Sequence, residues 1–229
     1  MKKNKKIKIG IIGAGLISQI CHIPNYIDNN LCEVIALADF RKKLREKVAK
    51  KFHIKNTYNS HLELLKNKDI KAVIIITGKE NTGPIALDCI KEKKHVFTEK
   101  PSAHTYAQAK KLVNQAKINK VKYVVGYMKR YDSGVIKAKK ILKDLVKSNE
   151  LGEINFVRVH NFMGDSYCNP KNYIKSKEKV PKNIPRWPIS PKWIKNKDSK
   201  HYSGYLNTYC HDLNLIRYLF SKNLKIEYT

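Results

Sequence analysis

The sequence predicts an α/β protein: a doubly wound parallel sheet over residues 1–126, followed over residues 127–229 by an incomplete α+β domain with an open sheet. Three observations carry that expectation. Short β-branched runs alternate with helical stretches through the first half, a glycine-rich turn follows the first run, and the periodicity breaks down after Gly126. Strands alternating with helices at this spacing pair in parallel, and right-handed crossovers cover both faces of the sheet.

The elements follow in order. Residues 7–12 (IKIGII) form a short apolar run suited to a buried parallel strand. A glycine turn follows, then a helix from Leu16 that Pro24 should end or kink. Residues 33–38 (EVIALA) read as a second strand ending at Asp39, and residues 41–52 as a charged amphipathic helix. A short helix is expected over residues 61–66, and the β-branched run 72–76 (AVIII) is the clearest buried strand. Pro84 should open a helix over residues 84–91. Residues 95–98 (HVFT) form a strand running into Glu99-Lys100-Pro101; residues 103–119 are helical and 121–126 a strand.

Beyond Gly126 the pattern predicts a basic helix over residues 135–146 and a half-exposed strand over 154–161, where apolar and polar residues alternate. Residues 163–203 have little periodicity and many Pro, Lys and Asn, as in a long functional loop or lid. A helix over residues 204–220 and a strand beginning over 225–228 close the chain.

A strand, then Gly-x-Gly, then a helix is a phosphate-binding arrangement. The first glycine, Gly13, makes the tight turn; the second, Gly15, lets the backbone approach a pyrophosphate at the helix N-terminus, where Leu16 and Ile17 follow. Ser18 stands in the third glycine position and is small enough to keep helix and strand close. Asp39 ends the second strand, about 20 residues on, where a carboxylate takes both ribose hydroxyls of a dinucleotide. The same charge repels a 2′-phosphate, so NAD is expected and NADP disfavoured; Arg41 weakens that preference without reversing it.

The net charge is +28. The lysines are spread from Lys2 to Lys225 among abundant Ile, Asn and Tyr, and Arg is scarce, so compositional drift explains the charge better than a nucleic-acid surface. Five cysteines at irregular spacing without Cys-x-x-Cys argue against a disulfide framework or a metal site and for a reducing cytoplasm. The basic start followed by an apolar run carries glycines at turn positions and fits a first strand better than a signal peptide. No run reaches the roughly 20 apolar residues of a membrane span.

Residues 74–101 (IIITGKENTGPIALDCIKEKKHVFTEKP) are similar to the Gfo/Idh/MocA pattern, in which a Lys-His-Val strand delivers Glu-Lys-Pro. VVGYMKRYD (124–132) resembles that family's entry into its second domain, and SGYLNTYCHDLNLIRYL (203–219) its active-site helix. The resemblance implies a Rossmann-type cofactor domain and hydride transfer between NAD(H) and a hydroxyl or keto carbon of a sugar, cyclitol or sugar derivative. It makes Lys100 the catalytic lysine beside the nicotinamide, His211 the proton-transfer residue, Thr77 and Glu99 parts of cofactor-facing loops, and Lys129 a substrate contact. The Lys100-Pro101 peptide is expected to be cis. The chemistry agrees: alcohol oxidation needs a base, which an imidazole supplies, and an ammonium stabilises developing alkoxide charge.

The sequence departs from that pattern in three places. Asn207, one helical turn before His211, replaces a common acidic residue; an amide can bind a substrate hydroxyl but holds no charge. Thr82 replaces a frequent His. Family members also usually continue through further strands, so a C-terminally truncated member is expected, with homo-oligomerisation reserved for a longer chain. The alternatives are a non-catalytic dinucleotide sensor of the same fold, or an inactive truncated product.

Overall fold

A computed structural model describes residues 6–160, 170–179 and 181–220. Cys168 and the strand expected over residues 225–228 lie outside the described residues. Six strands form one parallel sheet: β1 (Ile7–Ile12), β2 (Cys32–Ala38), β3 (Asn56–Tyr58), β4 (Ala72–Ile75), β5 (His95–Thr98) and β6 (Tyr123–Val125), in the order β3-β2-β1-β4-β5-β6. Ile11 pairs with Leu37 on one side and Ile74 on the other, so the order reverses at β1. Ligands of open α/β sheets bind at the carboxyl ends of the strands beside such a reversal.

Side-chain alternation divides the core. On one face Ile11, Leu37 and Ile74 pack against Ile23 of α1 (Ile23–Ile27) and Leu44 and Val48 of α2 (Lys42–Lys51). On the other, Val73, Ile75 and Val96 meet Leu64 of α3 (His61–Leu65), Ile85 of α4 (Lys79–Lys91) and Leu112 of α5 (Tyr106–Ile118). Both faces of the central strands are buried, which is why β4 reads as a continuous apolar run.

The two prolines act differently from expectation. Pro24 does not end the first helix. A wide turn over Ser18–His22 precedes it, closed by a bond from the Ile23 N–H to the Ser18 carbonyl, and α1 continues to Ile27. Such π-type turns absorb one extra residue. Pro84 does not open α4, which begins at Lys79. A proline inside a helix frees the carbonyl four residues earlier; here that carbonyl, Glu80 O, accepts the Trp187 N–H at 2.8 Å.

β3 was not expected, because Asn56–Tyr58 carries no apolar run; among the described residues it is an edge strand paired with β2 alone. Residues 154–160 form no strand, and Phe156, Val157 and Val159 are exposed. Asn161, the last residue of that expected strand, lies outside the described residues. Among the described residues the remaining α-helices are α6 (Ser133–Lys147) and α7 (Ser199–Phe220), the latter starting five residues before the expected Gly204. None of the described helices is long and apolar enough to cross a membrane.

Candidate active site

The glycine turn leaves β1 at the sheet reversal. Gly13 has φ +106°, and a side chain there would run into the Ile76 carbonyl, so only glycine fits. Gly15 differs: a Cβ built on it meets nothing within 4 Å. Gly13 and Gly15 line a cavity of about 910 Å³ together with Leu16, Ile17, Asp39, Arg41 and Thr77. These are six of the sequence-predicted cofactor residues plus Arg41, and the open side of Gly15 is where a phosphate can approach the backbone.

Asp39 is saturated. Its carboxylate accepts from the Ala14 N–H at 2.8 Å and the Arg41 N–H at 2.9 Å, and from the Arg41 guanidinium at 2.9 and 2.7 Å. Its side chain is 2% exposed, against 24% for Arg41. A carboxylate has about four acceptor sites. Ribose hydroxyls can therefore reach Asp39 only by displacing the guanidinium.

The described part of the long loop contributes to the lining of this cavity and packs on the helices around it. Gln19 exchanges two hydrogen bonds with the Ile174 backbone, at 3.0 and 2.8 Å. Glu178 accepts the Lys43 and Leu44 N–H groups at the start of α2, at 3.1 and 3.0 Å. Pro181 and residues 183–185 line the cavity, Asn81 donates to the Pro185 carbonyl at 2.8 Å, and Trp187 packs on Gly83, where no side chain would fit. Gln108 donates to the Pro188 carbonyl at 3.0 Å. The loop is thus anchored on both faces of the sheet.

A second cluster lies at the end of β5. The Lys100-Pro101 peptide is cis, as the resemblance implies. The Lys100 Nζ donates to the Asn207 backbone carbonyl at 3.0 Å and to its side-chain Oδ1 at 3.1 Å. Glu99 meets the His22 Nε2 at 2.7 Å through Oε1 and accepts the Lys100 N–H at 3.2 Å through Oε2. Burial alone would raise the Glu99 carboxyl, but its bonds to His22 and Lys100 and their charges hold it below the usual range. Thr77 instead shares a hydroxyl contact with Thr82 at 3.1 Å, on the cavity side.

His211 lies one turn beyond Asn207 on α7, on the same helical face. Its ring stands edge-on to Tyr127 at 6.4 Å, and its buried Nδ1 has no hydrogen-bond partner among the described residues. Burial lowers its pKa below the ordinary 6.5, and the charges of Lys100 and Lys129 lower it further. It is neutral at physiological pH and able to accept a proton. Arg130 fastens the turn carrying Lys129 to α7 through a 2.6 Å bond to Asn214.

Lys100, Glu99, Asn207 and His211 are therefore gathered in one cluster, and the glycine turn, Asp39 and Thr77 in another. Lys129 acts on the first through its charge. His22 escaped the sequence reading, as did the Arg41 clamp on Asp39 and the Trp187 anchor of the expected loop, because their partners are distant or depend on side-chain direction. Among the described residues no group of His, Cys, Asp or Glu could hold a metal ion.

Residues 7–127 match the model of an oxidoreductase family with an NAD-binding Rossmann fold. The chain is 30% identical over 151 residues to inositol 2-dehydrogenase of Salmonella typhimurium, covering 64% of this chain and 43% of that protein. It is 28% identical over 221 residues to glucose-6-phosphate 3-dehydrogenase of Bacillus subtilis, covering 96% and 55%. Among solved structures, myo-inositol dehydrogenase from Lactobacillus casei in complex with NAD(H) and myo-inositol superposes with a TM-score of 0.59 at 30% identity, covering 62% of this chain and 42% of that one. The chain thus spans about half the length of these relatives.

Proposed function

The chain belongs to the Gfo/Idh/MocA oxidoreductase family, and on that premise we propose that it transfers a hydride between NAD(H) and a hydroxyl or keto carbon of a sugar, cyclitol or sugar derivative. Residues 1–126 would bind the dinucleotide and residues 127–229 contribute the substrate side. The cavity supports the cofactor assignment: it is large, it begins at the glycine turn, and Gly15 leaves room for a phosphate against the backbone. Gly13, Gly15, Leu16 and Ile17 would hold the pyrophosphate, and Asp39 the ribose. Thr77 and Glu99 lie on the two loops that would flank the nicotinamide end.

Bound NAD⁺ supplies the hydride acceptor. The chain's residues supply proton transfer and charge stabilisation. An ammonium has three N–H groups; Lys100 gives two to Asn207, which leaves one for a substrate oxygen. That donor stabilises alkoxide character as the carbon loses hydride. The hydroxyl proton passes to the neutral imidazole of His211. Asn207 would orient both Lys100 and the substrate, and Lys129 would add a contact on the far side. In reduction the same groups run in reverse, with imidazolium as the acid.

The single observation that carries this reading is the Lys100–Asn207 contact, which brings the end of β5 onto the helix bearing His211. The relatives' names support the substrate class, since they are an inositol and a sugar-phosphate dehydrogenase. The irregular cysteine spacing, with Cys21, Cys32, Cys89 and Cys210 free thiols among the described residues, supports a cytoplasmic setting. The test is Lys100→Ala with a panel of polyols and sugars: turnover should be abolished with NADH binding retained. NADH binding without turnover in the wild-type protein would point instead to a sensor.

A further inference from the structure

The His22–Glu99 pair belongs to neither the cavity lining nor the proton-transfer residues, yet it joins them. Resting on the dehydrogenase reading above, we propose that His22 is a positioning residue, whose imidazole fixes the Glu99 carboxylate and thereby the backbone that carries Lys100.

The contacts form a path. His22 Nε2 lies 2.7 Å from Glu99 Oε1, and the other carboxylate oxygen accepts the Lys100 N–H at 3.2 Å. The Glu99 N–H is tied to the Ile75 carbonyl at 3.1 Å, so this residue is held at its backbone and at both oxygens. Lys100 then reaches Asn207 on α7. The path runs from the helix after the glycine turn, through one carboxylate, to the ammonium assigned to the substrate oxygen.

His22 is itself held. Its ring stacks on Tyr26 at 6.2 Å and stands edge-on to Phe97 at 5.8 Å, and its side chain is 14% exposed. Phe97 lies on β5, two residues before Glu99. His22 is also the last residue of the wide turn over Ser18–His22. Turns of that kind concentrate at functional sites, and this one sits directly between the Gly-x-Gly turn and Pro24. Lysine places its charge at the end of a long flexible stem, so the stem's origin decides where the ammonium goes. A displacement of about 1 Å at a reacting group can cost roughly a hundredfold in rate.

The test compares His22→Ala and His22→Gln with the wild-type chain; glutamine keeps an N–H donor at similar reach. Three quantities are read: kcat, the Kd for NADH, and the acylation rate of Lys100 by an N-hydroxysuccinimide ester, followed by mass spectrometry with the exposed Lys117 as internal reference. In His22→Ala, kcat should fall roughly tenfold to a hundredfold with the NADH Kd little changed. Lys100 acylation should rise relative to Lys117, and His22→Gln should restore both. Unchanged Lys100 acylation and unchanged kcat in His22→Ala would overturn the proposal. So would equal losses in the two variants that simply track a lowered Tm. If the wild-type chain shows no turnover, the dehydrogenase reading fails, and the Lys100 acylation comparison alone decides the role of His22.

Discussion

Lys100 is bound twice by Asn207, through the backbone carbonyl at 3.0 Å and the side-chain oxygen at 3.1 Å. The backbone bond survives substitution, so Asn207→Ala removes one of two tethers. It should lower kcat by about tenfold, the usual scale of one charge-assisted hydrogen bond, and leave NADH affinity unchanged. Steady-state kinetics beside a fluorescence titration separates the two effects.

The pH dependence follows from His211. Its pKa is lowered by burial, then by Lys100 and Lys129. The base form therefore persists below pH 6.5, and kcat/KM for alcohol oxidation should stay level from neutral pH and fall only on the acid side of 6.5. Lys129→Met removes one of the charges that disfavour imidazolium, so the acid limb should move to higher pH. Asn207→Asp places a carboxylate one turn away and should move it the same way, by about one unit. A limb unmoved in both variants would exclude His211 as the titrating base.

On the proposed reading, Arg41 sets the balance between the two dinucleotides. It neutralises Asp39 in the cavity, so the 2′-phosphate of NADPH meets less repulsion than the aspartate alone would exert. Arg41→Ala should leave NADH binding intact or tighter and weaken NADPH, widening the ratio of their dissociation constants by about tenfold, equivalent to roughly 1.4 kcal/mol. Paired titrations with NADH and NADPH check this.

The Trp187 loop is clamped where α4 has a glycine. Gly83→Ala would push a methyl group into the Trp187 ring. Alanine favours a helix over glycine by about 1 kcal/mol, yet overpacking costs about 1–3 kcal/mol, so a net fall in Tm is expected. In Trp187→Ala the same Gly83→Ala change should instead be stabilising. Thermal denaturation of the two single variants and the double variant gives the sign.

The parallel sheet was legible in the sequence because its central strands are buried on both faces and therefore spell continuous β-branched runs. Edge strand β3 was not, since Asn56, Thr57 and Tyr58 satisfy one neighbour and solvent. The alternation over residues 154–161 predicted a strand, yet residues 154–160 form none; pairing depends on a partner rather than on the strand's own pattern. Pro24 and Pro84 misled for a local reason: each removes a donor, and the structure supplies a wide turn at one and the Trp187 N–H at the other. The glycine turn and Asp39 were visible from motif and spacing, and Lys100 from the family resemblance. The Arg41 clamp on Asp39 and the His22–Glu99 pair depend on rotamers and on contacts 77 residues apart, which no local pattern encodes.

The proposed hydride transfer requires dinucleotide binding over the glycine turn, and Gly15 allows that binding to be tested without disturbing the fold. A side chain at Gly15 meets open space, whereas one at Gly13 collides with the backbone of Ile76. The decisive measurement is calorimetric titration of NADH into the wild-type chain and Gly15→Asp, with Tm recorded for both. Saturable one-to-one binding in the wild type, lost in Gly15→Asp at unchanged Tm, is the expected result. A folded wild-type chain that takes up no NADH, or a Gly15→Asp variant that binds as well as the wild type, would contradict it.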